Sequence, residues 1–94
     1  MFAISFVVPC YNAETFILKN IIQLRKKITS LKLTYEIILI DDGSQDDTHV
    51  ILKEIKRKHR FVNLIKNKKN TGKSYSILKG IKKSKYNNII MIDC

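Results

Sequence analysis

The apolar residues of the chain fall into four short runs that predict β-strands. These runs are rich in β-branched residues and are mostly continuous, without the alternation of apolar and polar positions that marks a strand exposed on one face. Continuous runs of this kind are typical of strands buried on both faces, as in a parallel sheet covered by helices. The predicted strands are Ile4–Val8, Glu36–Ile40, Val62–Ile65 and Asn88–Ile92.

Three segments with helical spacing separate these strands. Asn12 is placed to cap the start of the first helix. The second helix is predicted to begin near Ser44, with Asp47 in a capping-box position, and the third follows Gly72. The apolar positions with helical spacing are Ile17, Ile21, Leu24 and Ile28 in the first helix, Ile51 and Ile55 in the second, and Ile77, Leu78 and Ile81 in the third.

This alternation of strands and helices predicts one α/β domain over residues 1–94. Right-handed crossovers turn such a string into an open, mostly parallel, Rossmann-like sheet with helices on both faces. A chain of 94 residues has room for a single modest core. With the strand order 3-2-1-4, the first and fourth strands flank the point where strand order reverses, and ligands of such sheets bind there, beyond the carboxyl ends of the strands.

The composition agrees with a globular domain and adds a strong positive charge. Hydrophobic residues make up 45% of the chain and charged residues 28%, which excludes disorder, collagen and coiled coil as descriptions of the whole chain. The formal net charge is +10, and 13 of the 18 Lys and Arg residues follow Thr48, together with only two of the eight acidic residues. This basic half indicates an anionic partner such as phosphate, nucleic acid or a lipid surface, unless it is a solvated lysine-rich face without a dedicated partner.

Neither the cysteines nor the apolar runs indicate secretion or membrane insertion. Cys10 and Cys94 are too few for a disulfide framework or a metal site. No apolar run approaches the roughly 18 residues of a membrane span. The apolar start runs into Pro9 without the cationic region and cleavage site of a signal peptide, so a first strand explains it better. We therefore expect a cytoplasmic protein with reduced thiols.

The residues with the most chemistry follow the predicted strands directly. They are Pro9–Glu14 after the first strand, Asp41–Ser44 after the second, Asn70–Lys73 after the third, and Asp93 with Cys94 after the fourth. Because the carboxyl ends of parallel strands meet at one edge of a sheet, Tyr11, Asp42 and Asp93 are expected to converge on one crevice.

Such a cluster suits a nucleoside diphosphate with a bound metal. A carboxylate such as Asp42 can accept a hydrogen bond from a nucleobase, and an aromatic ring such as Tyr11 can stack on the base. A second carboxylate, Asp93, can hold the Mg²⁺ or Mn²⁺ that neutralises a diphosphate. Gly72 and Lys73, at the start of a helix, can offer backbone N–H groups and one cation to a phosphate.

Each feature alone has an ordinary explanation. Asp41–Ser44 can be a turn with a helix cap, Tyr11 can be a packed aromatic residue with a solvated hydroxyl, and Lys73 is one of many lysines. His49 and His59 have no partners at metal-ligand spacing and are interpreted as exposed helix residues. Only the joint occurrence of these features, in order along the strand ends, favours a nucleotide site.

The same residues resemble the amino-terminal half of family 2 glycosyltransferases, and in particular the polyprenyl-phosphate (dolichol-phosphate mannose synthase-like) sugar transferases. The resemblance covers nearly the whole chain in four ordered blocks. These blocks are Ile4–Glu14, Glu36–Ser44 with Asp47 and Thr48, Asn70–Lys73 with Gly80, and Ile89–Asp93. It implies the GT-A type of α/β fold, a nucleoside-diphosphate sugar as donor, and a lipid phosphate, a saccharide or another acceptor.

The resemblance also implies roles for individual residues. The implied nucleotide-binding residues are Pro9, Tyr11 and Glu14 at the nucleobase, Ile40 and Asp42 at the base and ribose, and Asp93 with Cys94 in a metal-binding Asp-x-Asp element. Asp93 is the implied ligand for Mg²⁺ or Mn²⁺, and Lys73 is a candidate phosphate contact. Ala13 stands where the polyprenyl-phosphate branch usually has its acidic residue, which moves that role to Glu14.

No catalytic residue is expected within the chain. In the family, the second carboxylate of Asp-x-Asp, the acceptor-binding half and the catalytic base lie beyond the position of Cys94. We therefore expect an incomplete domain at the carboxyl end and no transferase activity from these residues alone. Work at a lipid-phosphate acceptor would bring the chain to the cytoplasmic membrane face.

Three other classes remain open at this point. Asn67–Ser74 ends like a P-loop, and Ile89–Asp93 imitates a Walker B strand, but Asn67 stands where the loop needs glycine. A phospho-receiver domain would carry its paired acids after the first strand, and here Asp41 follows the second. A basic, non-catalytic module for nucleic acid or anionic lipid would bind with strong salt sensitivity and little nucleotide selectivity.

Overall fold

A computed structural model describes residues 2–94 and contains all seven predicted elements. In chain order they are β1 (Ala3–Cys10), α1 (Ile17–Ser30), β2 (Thr34–Asp42), α2 (Thr48–Lys58), β3 (Val62–Asn67), α3 (Lys73–Lys83) and β4 (Asn88–Met91). The predicted strands and helices are thus confirmed, with β1 and β2 longer at both ends than their apolar runs.

The strands form one parallel sheet in the order β3-β2-β1-β4, which confirms the predicted topology. The chain moves from β1 outward to β2 and β3 and then crosses to the other side of β1. That reversal lies between β1 and β4, so the carboxyl ends of these two strands border the crevice where ligands of open sheets bind.

Two apolar clusters fill the two faces of the sheet, which is why the central strands are apolar at nearly every position. On one face, alternate residues of β1 meet α1 and α2; the buried residues there include Ile4, Phe6, Val8, Ile17, Ile21, Leu39, Leu52 and Ile55. On the other face, Val7, Ile38 and Ile40 are fully buried and lie toward α3. The described helices include none that is long and apolar enough to cross a lipid bilayer.

Helix α3 meets the sheet through small residues, in contrast to its predicted apolar face. Its buried positions are Ser76 and Gly80, whereas Leu78 and Ile81 are exposed. A Cβ atom at position 80 would lie only 2.4 Å from Val7 Cγ1 and 3.0 Å from Ile40 Cδ1. The missing side chain of Gly80 therefore lets α3 lie directly on the strands.

Replacing Gly80 with Ala is expected to destabilise the chain by about 2 kcal/mol, because overpacking against a stiff core side chain costs more than the about 1 kcal/mol that Ala gains in a helix. Urea denaturation of the variant measures this change. The double variant Gly80→Ala with Val7→Ala removes the clashing methyl group, so it should be more stable than the sum of the single changes predicts. A Gly80→Ala variant that is more stable than the parent chain would contradict this account of the packing.

A buried polar contact fixes β4 beside β1. Glu36, on β2, accepts hydrogen bonds from Ser5 Oγ at 2.6 Å and from the backbone N of Lys85 at 2.7 Å. The backbone N of Tyr86 donates to Ser5 Oγ at 3.3 Å. The loop before β4 is thus held against β1 and β2, which sets the register in which Ile4 pairs with Asn88.

Candidate functional site

A cavity of about 390 Å³ opens at the carboxyl ends of the central strands. Nine residues line it: Pro9, Cys10, Tyr11, Asp42, Asn70, Gly72, Lys73, Asp93 and Cys94. Six of them are residues singled out from the sequence as nucleotide or phosphate contacts, and they come from the ends of β1 and β2, the start of α3 and the segment after β4. The volume lies in the range of small-molecule sites.

Two of the predicted site residues do not line this cavity. The side chain of Ile40 is fully buried in the core toward α3. Glu14 is exposed, and its backbone N donates to Asp46 Oδ2 at 3.3 Å. The structure therefore places neither side chain in the cavity.

Asp42 is the best-connected carboxylate of the site. Its Oδ1 accepts hydrogen bonds from the backbone N of Thr71 (2.8 Å), from Thr71 Oγ1 (2.9 Å) and from Asn67 Nδ2 (2.9 Å), and its Oδ2 accepts from the backbone N of Gly72 (3.0 Å). Burial raises the pKa of Asp42, but these hydrogen bonds outweigh it, and the pKa lies below its usual value. An ionised Asp42 thus holds the loop between β3 and α3 in place.

Asn67 completes this network and was not recognised as a site residue from the sequence. It is buried at the end of β3, and its Nδ2 also donates to Thr71 Oγ1 and to Ser76 Oγ. Lys79 Nζ donates to Asn67 Oδ1 at 2.7 Å. A polar amide at the end of an otherwise apolar strand, two residues from which no helix begins, was the available signal.

The network occupies the backbone groups that the sequence assigned to a phosphate. The N–H of Gly72 is bonded to Asp42, so it is not free to bind a ligand phosphate in this conformation. The N–H of Thr71 is bonded to the same carboxylate. A P-loop needs exactly such N–H groups to wrap its phosphates, and here they wrap an aspartate of the protein.

The loop after β2 passes very close to this network. Gly43 has a φ of +70°, in the left-handed region that favours glycine. A Cβ atom there would lie 2.3 Å from the backbone C of Lys69 and 2.4 Å from the backbone N of Asn70. Gly43 is therefore required for both its backbone angle and the approach of the two loops.

The polar residues predicted as helix caps instead join the loops after β1 and β2. Helix α1 begins only at Ile17, without a side-chain cap, and α2 begins at Thr48 rather than near Ser44. Asn12 donates its backbone N to Ser44 Oγ (3.0 Å) and accepts from the backbone N of Gln45 (2.8 Å), while the backbone N of Ala13 donates to Thr48 Oγ1 (2.7 Å). The capping predictions for Asn12, Ser44 and Asp47 were wrong, because cross-loop partners compete for the same side chains.

Asp93 and Lys73 form an ion pair at the mouth of the cavity. Both side chains are exposed, Asp93 by 81% and Lys73 by 61%, so the pair contributes little to stability. The carboxylate and the cation are therefore free to exchange each other for a metal ion and a phosphate.

The two thiols lie at the base of the cavity. Cys10 is buried and its Sγ lies 3.5 Å from the carbonyl O of Val8. A hydrogen bond with Cys94, together with burial and the charge of Asp41, raises the pKa of Cys10 far above its usual range. The same contact lowers the pKa of Cys94, although burial opposes the change.

The interpretation of His49 as an exposed residue without a partner was wrong. Its Nδ1 lies 3.0 Å from Oδ2 of the fully buried Asp41, and its side chain is 25% exposed. Asp41 Oδ1 accepts a hydrogen bond from the backbone N of Ser44 at 2.9 Å. His59 lies just after α2 and is half-buried; burial, then the cations of Arg25 and Lys58, lowers its pKa.

A larger groove, of about 700 Å³, lies on the outer face between α2 and β3. It is lined by His49, Val50, Lys53, Glu54, Lys56, Arg57, Leu64 and Lys66. It is basic, but it holds none of the residues that carry the nucleotide prediction. The smaller cavity at the strand ends is therefore the candidate site.

An open parallel α/β sheet with carboxylates, an aromatic ring and a lysine at its switch point defines a nucleotide-binding class of domain. Comparison with known proteins makes the class specific, since the model of Glycosyl transferase family 2 matches residues 5–94. The chain belongs to glycosyltransferase family 2, as its sequence motifs indicate.

Curated relatives agree with this assignment. The chain is 34% identical over 93 residues to a poly-beta-1,6-N-acetyl-D-glucosamine synthase of Staphylococcus epidermidis, covering 96% of this chain and 21% of that protein. It is 32% identical over 94 residues to a dolichyl-phosphate beta-glucosyltransferase of Trichomonas vaginalis, covering 95% of this chain and 28% of the relative. The chain thus spans well under half of the length of these relatives.

Solved structures show the same fold, the GT-A type. TarS of S. aureus, in complex with UDP, superimposes with a TM-score of 0.80 at 23% identity over 98% of this chain and 27% of its own. A mannosyltransferase of Pyrobaculum calidifontis, in complex with GDP-Man and Mn²⁺, gives a TM-score of 0.79 at 17% identity over 96% of this chain and 26% of its own. The P-loop and receiver alternatives are therefore set aside.

Proposed function

We propose that residues 1–94 form the nucleotide-binding part of a glycosyltransferase, and that the cavity at the strand ends binds a nucleoside-diphosphate sugar. The observation that carries this proposal is that the ends of three elements bring Tyr11, Asp42, Lys73 and Asp93 to one cavity. The full enzyme would transfer the sugar to a lipid phosphate, a saccharide or another acceptor.

The nucleobase would lie between Tyr11 and Asp42. Tyr11 is 45% exposed at the cavity, so its ring has a free face on which a base can stack. Asp42 Oδ1 already accepts three hydrogen bonds, but Oδ2 accepts only one from the protein. The remaining lone pair of Oδ2 is available to a base N–H.

The diphosphate would lie at the other end of the cavity, beside Lys73 and Asp93. The oxygens of an exposed carboxylate suit Mg²⁺ or Mn²⁺, which take one or two carboxylates together with substrate phosphates. The described residues offer no cluster of three His, Cys, Asp or Glu side chains for a metal, so Asp93 would hold the ion jointly with the diphosphate. The ion would stabilise the negative charge of the departing nucleotide.

Deprotonation of a hydroxyl acceptor requires a general base, and we assign that role to no residue of this chain. The chain alone is therefore proposed to bind donor without transferring sugar. Measured turnover of UDP-glucose or GDP-mannose by these 94 residues would contradict this part of the proposal.

Nucleotide titrations test the proposal directly. Calorimetry with UDP and GDP, each with and without Mn²⁺, is expected to show selective, metal-dependent binding. Tyr11→Ala should weaken that binding by about tenfold, since base–aromatic stacking contributes about 1–3 kcal/mol. The matched control is Tyr75→Ala, because Tyr75 is 49% exposed but lies outside the cavity. Equal effects of the two substitutions would contradict the stacking role of Tyr11.

The second candidate function, a basic binding module, is favoured by the cationic groove between α2 and β3. It predicts binding to anionic lipid vesicles or nucleic acid that weakens steeply with salt. Such binding, combined with no preference between UDP and GDP and no effect of Mn²⁺, would favour this candidate over the nucleotide-sugar site. Stronger binding to anionic than to neutral vesicles would support a location at the cytoplasmic membrane face.

A further inference from the structure

Two cysteine side chains meet at the base of the candidate site, and the proposed function gives neither of them a role. Cys10 ends β1 and is 1% exposed. Cys94 follows β4, is partly exposed and packs against the apolar cluster that contains Cys10. Both line the same cavity, so one thiol is accessible from solvent and the other is buried directly behind it.

The sheet register explains why the two thiols adjoin. Strand β1 pairs with β4 from Ile4 opposite Asn88 to Val7 opposite Met91, and the backbone N of Ile92 donates to the carbonyl O of Val7 at 2.9 Å. Three residues further along each strand, Cys10 falls opposite Cys94, with both side chains on the face covered by α1. Neighbouring strands lie about 4.8 Å apart, within the span of about 4.4–6.8 Å between Cα atoms that a disulfide bridges.

We propose that Cys10 and Cys94 form a redox-sensitive thiol pair, which a peroxide converts into an intramolecular disulfide across the carboxyl ends of β1 and β4. The Cys94 sulfur, which is the accessible one, attacks a peroxide oxygen. The O–O bond breaks, Cys94 becomes a sulfenic acid, and one water leaves. The Cys10 sulfur then attacks the sulfenic sulfur, so that an S–S bond forms, the S–O bond breaks, and the Cys10 proton leaves with the hydroxyl as a second water. Two thiols and one hydrogen peroxide thus give one disulfide and two waters.

The disulfide would change the cavity, because Cys94 directly follows Asp93. A covalent link from Cys94 to the fixed end of β1 would restrict the backbone that carries the Asp93 carboxylate and remove the freedom of that residue to turn toward a ligand. Oxidation is therefore expected to lower nucleoside-diphosphate affinity about tenfold or more. This consequence rests on the proposed function, whereas formation of the disulfide does not.

The test begins with hydrogen peroxide added to the reduced 94-residue chain, followed by alkylation of free thiols and intact mass measurement. The expected result is a monomer that has lost two hydrogens, about 2 Da, and two alkylatable thiols. Treatment with a dithiol reductant should restore both thiols. A disulfide-linked dimer, or separate oxidation of each cysteine to its sulfinic acid, would overturn the proposal.

Two single variants separate the roles of the thiols. Cys10→Ser leaves Cys94 without a resolving partner, so its sulfenic acid should persist and be trapped by dimedone. Cys94→Ser leaves only the buried thiol, which should react at least about tenfold more slowly than the parent chain, because oxidation follows exposure. Equal rates in the two variants would contradict the assignment of Cys94 as the attacking residue.

Nucleotide binding supplies the second readout. UDP and GDP affinities are measured for the reduced and the oxidised chain, with Cys10→Ser treated identically as the control. Equal affinities for both forms would overturn the effect on the cavity. If the reduced chain binds neither nucleotide, the proposed function fails, while the mass measurement still decides whether the thiol pair exists.

Discussion

Replacing Asp42 with Ala is expected to lower the free energy of unfolding by about 3 kcal/mol, because it leaves buried donors without an acceptor. The carboxylate accepts four hydrogen bonds from Asn67, Thr71 and Gly72. Nucleotide affinity should fall by about 100-fold or more, since the same residue both orders the loop and faces the cavity. Urea denaturation and calorimetry with UDP and GDP measure the two effects.

The matched control for Asp42 is Asp47→Ala, which removes an exposed carboxylate just before α2. A surface change of this kind should alter stability by no more than about 0.5 kcal/mol. Asp42→Asn keeps the shape of the side chain but turns one acceptor into a donor, and it should bind nucleotide as weakly as Asp42→Ala. An Asp42→Ala chain that is as stable as the Asp47→Ala chain would contradict the role of Asp42 in the loop.

The Asp42 network also predicts how stability depends on pH. The folded-state pKa of Asp42 lies below its usual value, so its ionised form favours the folded chain. This contribution is present above the unfolded-state pKa of about 3.9 and is lost as the pH falls through the folded-state value. Denaturation measured from pH 6 downward should therefore show a steeper loss below about pH 4 in the parent chain than in Asp42→Asn.

Replacing Gly43 with Ala is expected to cost about 4 kcal/mol of stability, through backbone strain and a clash together. The added Cβ would need a φ of +70° and would lie 2.3 Å from a backbone atom of Lys69. The loop from Lys69 to Asn70 would have to move away, and Asn70 lines the cavity. Urea denaturation, and limited proteolysis of the loop between β3 and α3, measure the stability loss and the loosening.

Gly72 is the matched control for Gly43. Its φ is also positive, at +98°, but no atom lies within 4 Å of the position that a Cβ would take. Gly72→Ala should therefore cost only the backbone strain, about 2 kcal/mol. If the two substitutions prove equally costly, the close approach of the two loops is not what Gly43 provides.

The sequence alone determined the elements and their order. Continuous apolar runs indicated strands buried on both faces, and the structure has β1 and β2 buried almost throughout. The strand order followed from the rules for parallel crossovers and is confirmed. That order brings the strand ends together, so the meeting of Tyr11, Asp42 and Asp93 at one cavity could also be predicted.

The sequence did not determine which side chains pair with which. Asn12 and Ser44 have the residue types of helix caps, yet they bond to the opposite loop. Leu78 and Ile81 have helical spacing but are exposed, because the helix approaches the sheet through Gly80. Local residue preferences are weak compared with the contacts that a packed neighbour offers, so tertiary structure decided these positions.

Only the tertiary structure revealed what holds the site together. Asp42 and Thr71 are 29 residues apart, and Cys10 and Cys94 lie at opposite ends of the chain. Such pairs depend on strand register and loop conformation, to which residue spacing along one element carries no information. The sequence thus determined the fold and the place of the site, while the tertiary structure decided that Asp42 is bonded to the loop before α3, that His49 lies beside Asp41, and that two thiols adjoin in the cavity.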